Sequence, residues 1–88
     1  MFGEKLFYRV MQALNQDRIS KMQRAIVVQS LHLSQTKNYE SLKADRDQYA
    51  KRALKPFTTK ASIIENTVRA SAADRAMRIQ KASEEVAA

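Results

Sequence analysis

One glycine, Gly3, and one proline, Pro56, are all the backbone punctuation in 88 residues, where average usage would supply about ten such residues. Turns that need a positive or a fixed φ have almost nowhere to form, so the chain is restricted to a few long helices. The expected fold class is all-α, with two or three long helices over about 4–33, 38–55 and 60–86, the second either separate from the first or continuous with it. They would form an extended hairpin or a small bundle packed against partner chains. All 88 residues are expected to make one helical domain with a break at Pro56–Thr59.

The apolar pattern supports helices throughout. Leu6, Val10 and Leu14 recur at four-residue steps beside Phe7 and Met11, and at about 100° per residue they fill an arc of roughly 140°. Asp17 and Arg18 interrupt the stripe, which resumes at a rotated phase with Ile19, Met22, Ile26 and Leu33. From Ala25 to Leu33 apolar side chains cover nearly the whole circumference, the pattern of a helix surrounded by protein. This segment is expected at the core.

Ser34-Gln35-Thr36-Lys37-Asn38 is the weakest helical stretch, since its side chains compete for backbone groups. It is either a turn or a solvated length of one helix. In the latter case a helix over 4–54 would be about 75 Å long, against about 40 Å for one over 60–86. Tyr39, Leu42, Tyr49 and Ala53 make a second stripe with Arg46 at its centre, and it ends before Pro56, which bars the helical conformation at Lys55. Thr58 or Thr59 can cap the last helix, and Ser62-Ile63-Ile64-Glu65 has the form of a capping box. Along that helix Ala61, Ile64, Val68, Ala72, Ala76, Ile79 and Val86 share a face whose middle is alanine, so a neighbouring helix can approach closely. Asp17–Lys21, Asp47–Lys51, Glu65–Arg69 and Asp74–Arg78 have the favourable acid-to-base spacing. Glu84 and Glu85 oppose the helix dipole, so the last turn should fray.

Chemistry is harder to find. The chain has no cysteine, which removes thiolate metal sites and thiol nucleophiles. His32 is the only histidine, no metal-ligand spacing accompanies it, and a single glycine cannot build a phosphate-cradling loop. No catalytic residue, metal or cofactor is expected, and the chain reads as a non-enzyme with no small-molecule substrate. No run approaches the 18 or so apolar residues of a membrane span, and residues 1–10 lack the apolar core of a secretory signal.

The formal charge is +7. Residues 1–33 hold five bases and two acids, residues 34–60 seven and three, and residues 61–88 four and four. An anionic partner would therefore meet Lys43, Arg46, Lys51, Arg52, Lys55 and Lys60, with Arg75 a further candidate because it interrupts an apolar stripe. Helix packing would use Leu6, Val10, Leu14 and Ile26 in the first half of the chain and Ile64, Val68, Ala72, Ala76 and Ile79 in the last helix.

Three functional expectations follow. The first is a structural or adaptor subunit of a multi-chain assembly, homo- or hetero-oligomeric, such as a virion, a secretion machine or an organellar complex. The second is a nucleic-acid-associated protein that contacts phosphates through residues 37–60. The third is peripheral attachment to a membrane surface through residues 2–14.

Overall fold

A computed structural model describes residues 16–56 and 58–87, which form three α-helices and no strand. Helix α1 spans Gln16–Thr36, α2 spans Tyr39–Leu54 and α3 spans Lys60–Ala87. The first helix passes unbroken through Ser20 and stops at the polar stretch, so α1 and α2 are separate helices. Asn38 is the device that separates them. Its backbone is extended (φ −81°, ψ 165°) and its side-chain oxygen accepts from Ser41 N at 2.8 Å, which caps α2.

The second boundary is built in the same way. Lys55, held extended before Pro56 (φ −62°, ψ 140°), ends α2, and Thr58 Oγ1 donates to Lys55 O at 2.7 Å. Thr59 caps α3 by accepting from Ser62 N at 3.2 Å. Ser62 does not act as a cap; its hydroxyl and carbonyl oxygens both accept from Asn66 Nδ2. At the far end the helix continues through Glu84 and Glu85 to Ala87.

Helix α3 is the element on which the others rest. Both α1 and α2 pack along it, and they touch each other far less than either touches α3. Met22 and Ile26 of α1 meet Ile63 and Val68 of α3, while Leu33 further along joins Leu42 of α2 and Ala73, Ala76 and Met77 of α3. Thus α1 runs parallel to α3. Leu42, at the start of α2, lies against Ala76 and Met77, and Ala53, near its end, lies against Ala70, so α2 runs antiparallel. The greatest dimension, 43 Å, is about the length of a 28-residue helix at 1.5 Å per residue.

Burial corrects the reading of α1. Its inner seam is Met22, Ile26, Ser30 and Leu33, whereas Val27, Val28 and Leu31 are 37%, 67% and 53% exposed. An all-apolar circumference suggested protein on every side, but within the described residues the inner seam is what α3 and Leu42 cover. Ser30, fully buried, takes an apolar position because its hydroxyl folds back onto Val27 O at 2.7 Å. Thr67 and Ser71 on α3 are also buried, yet among the described residues neither hydroxyl has a hydrogen-bond partner.

Two outcomes test this packing by denaturant unfolding. Leu42 is fully buried and central, so Leu42→Ala should cost about 2–5 kcal/mol. Thr67→Val keeps the shape and removes an unsatisfied hydroxyl, so it should be neutral or stabilising by about 1 kcal/mol. A marked loss of stability in the valine variant would mean that the hydroxyl has a partner.

Candidate interaction surfaces

The cationic residues of α2 divide into two groups according to whether the bundle neutralises them. Arg46 faces inward, with its side chain 21% exposed, and donates from Nε to Asp47 Oδ1 at 3.0 Å and from Nη1 to Asp74 Oδ1 at 3.4 Å. Asp74 also accepts from Arg78 Nη2 at 3.2 Å. The anion opposite this arginine is therefore a carboxylate of the same chain, 28 residues away on α3. Asp47 turns to Arg46, while Glu65–Arg69 closes at 2.7 Å as its spacing suggested.

Lys37 and Asp45 bridge the α1–α2 turn at 2.6 Å. The hydrogen bond to Asp45, followed by its charge, holds the Lys37 ammonium protonated above the usual lysine range. Any stabilisation from the raised pKa is complete below the ordinary lysine pKa and is lost as pH rises through the folded value. On an exposed pair it is weak at neutral pH. A second cross-link at this turn was not legible in the sequence. Gln80 of α3 donates to Ser34 O and Lys37 O at 3.1 and 2.5 Å, satisfying carbonyls where α1 ends.

Tyr49 lies between two guanidinium groups, Arg52 from its own helix and Arg69 from α3, each 5.5 Å from the ring centroid. With Gln29, Leu33, Lys37, Asp45 and Ala73, Tyr49 and Arg69 line a cleft of about 190 Å³ where α1 and α2 diverge over α3. Its lining carries two cations and one carboxylate, with Arg69 also paired to Glu65 beyond the cleft, and nothing in it is arranged as a nucleophile with a base.

Lys43, Lys51, Arg52, Lys55 and Lys60 are exposed, as is Arg75, which therefore needs no buried counter-charge. Ile26, Val68, Ala72 and Ala76 are buried within the chain, and Ile64 and Ile79 are half-buried. Leu6, Val10 and Leu14, the whole of segment 2–14 and Phe57 lie outside the described residues.

The outer side of α1 presents the main apolar surface. Val27 and Val28 line a shallow groove with Ser20, Gln23 and Arg24. Leu31 extends the strip to the α1–α2 turn, where it borders a broader depression with Tyr39 of α2 and Ile79 and Ser83 of α3. His32 is exposed, and among the described residues no three metal-ligating side chains converge. No helix among them is long and apolar enough to cross a membrane.

Half-burial makes the Arg46–Asp74 pair the stronger of the two α3 ion pairs tested in isolation. A double-mutant cycle to alanine should give a coupling of about 1 kcal/mol for it and under about 0.5 kcal/mol for the exposed Glu65–Arg69 pair; the reverse order would contradict the assignment. No protein-family model, curated protein or solved structure matches the chain.

Proposed function

We propose that the chain is a non-enzymatic structural or adaptor subunit of a multi-chain assembly, and that it works through helix–helix packing. A virion, a secretion machine or an organellar complex is the kind of setting it suits. The observation that carries this reading is the outward strip of Val27, Val28 and Leu31. Three large apolar side chains on one side of one helix, bordered by Ser20, Gln23 and Arg24, have the composition of a seam for another helix.

Magnitude favours an assembly over an isolated pair. Covering the exposed parts of these three side chains yields roughly 5 kcal/mol at about 25 cal/mol per Å². Association itself costs an estimated 4–15 kcal/mol. A single such contact is therefore weak, and it becomes lasting where each subunit is held by several contacts at once.

The test is mass in solution. Sedimentation equilibrium from micromolar to millimolar concentration should show association beyond one chain at the upper end, as a weak single contact requires. Val28→Asp and Leu31→Asp, both at exposed sites that tolerate charge in the monomer, should return the protein to the mass of one chain with its helix content intact. A wild-type chain that remains a monomer with a cooperative melt throughout that range would overturn the proposal.

A further inference from the structure

We infer that the outer face of α2, with Lys60 at the start of α3, binds the phosphate backbone of a nucleic acid. The inference rests on which charges the fold cancels. Of the three acids among residues 34–60, Asp45 is bound by Lys37 at 2.6 Å and Asp47 by Arg46 at 3.0 Å, leaving Glu40, one turn before Lys43, as the single uncancelled acid of that segment among the described residues. Arg46 also reaches Asp74, which Arg78 shares. These two Arg–Asp pairs sum to no net charge.

What stays outside is cationic. Lys43 and Lys51 are exposed on α2, with Lys55 following at its C-cap, and Lys51 lies opposite the buried Leu42 and Ala53. At 1.5 Å per residue Lys43 and Lys51 are separated by about 12 Å. Arg52 stands beside them over the Tyr49 ring, and Lys60 opens α3 at the same end of the bundle, with no acid in that first turn. Among the described residues Lys43, Lys51 and Lys60 carry no ion pair.

The competing explanation is that Lys51 and Arg52 are present to satisfy the α2 dipole, whose C-terminal end they occupy. That end is equivalent to about half a negative charge, and Lys51 and Arg52 alone bring two positive ones to it. The dipole does not consume that surplus. Asp47 projects from the same face, but Arg46 engages it.

A membrane surface would also attract this charge, but the face lacks the means to enter one. Interfacial helices set bulky apolar residues beside their lysines, and the outer side of α2 offers Ala44, Gln48 and a 42% exposed Leu54. Duplex DNA, with a phosphate about every 1.7 Å of its axis, presents a charge to each lysine without requiring insertion. Backbone contacts of this kind are independent of sequence.

The experiment is fluorescence anisotropy with a labelled mixed-sequence DNA duplex, using the full chain. Four contacts, from Lys43, Lys51, Arg52 and Lys60, predict a slope of log K on log salt of about −3.6, a loss of about 150-fold between about 50 and 200 mM. Lys43→Ala/Lys51→Ala, which preserves helix propensity, should flatten that slope by about 1.8. Arg75→Ala/Lys81→Ala, an equal change of charge elsewhere on α3, should leave it unaltered. The inference is overturned by absence of binding at about 50 mM salt, by equal weakening in the two double variants, or by phosphatidylserine vesicles binding the chain more tightly than the duplex does.

Discussion

The close contact between α3 and its two neighbours governs everything else in this molecule. Ala70, Ala72, Ala73 and Ala76 are all at most 1% exposed, on a helix that is otherwise unremarkable in composition. Alanine lets a facing backbone approach, favours the helix intrinsically and loses no side-chain entropy on burial. It also supplies little apolar area. Around the alanines the larger residues therefore come mainly from the partners, Leu42 of α2 and Leu33 of α1 beside Met77 of α3, while Met22 and Ile26 of α1 meet Ile63 and Val68 nearer its start.

An arrangement in which two helices lean on a third, and hardly on each other, has consequences at both ends of the polarity scale. The polar cross-links gather where α1 and α2 would otherwise separate. Lys37–Asp45 bridges the turn, Gln80 reaches from α3 to the end of α1, and Arg46 reaches from α2 to Asp74. On the outer side of α1 the apolar residues face away from α3. The cationic surface of α2 likewise remains outside because two of the three acids near it, Asp45 and Asp47, are held in ion pairs. Both proposed contact surfaces are thus what remains after the core and the ion pairs have taken their residues.

Much of this fold could be read from the sequence, because its strongest signals are local. The polar run before Tyr39 and the Pro56 boundary act over a few residues, and each marks a helix end, α1 running into the polar run as far as Thr36 and α2 stopping at Leu54. The break between α1 and α2 stayed open because Asn38 is equally compatible with a solvated helix until its side chain is seen capping Ser41. What could not be read depended on residues far apart in the chain. No periodicity indicates that Asp74 completes Arg46, or that Gln80 closes α1. The run Ala25–Leu33 misled for a related reason: hydrophobicity around a helix reports how many sides could be covered, and this chain uses chiefly the one bearing Met22, Ile26, Ser30 and Leu33. For the interaction surfaces, the sequence supplied the cations of residues 37–60, and the structure separated Arg46 from the exposed lysines.

If α3 is the support for the other two helices, it should also be the last part to open, since the most protected amides report the elements that break only on global unfolding. Residue-resolved amide hydrogen exchange on the native chain measures this directly. The account predicts the slowest exchange at the buried centre of α3, from Ala70 to Met77, with α1 and α2 opening at lower and separate free energies. Slowest exchange centred on Val27–Leu31 of α1, with α3 opening first, would contradict it.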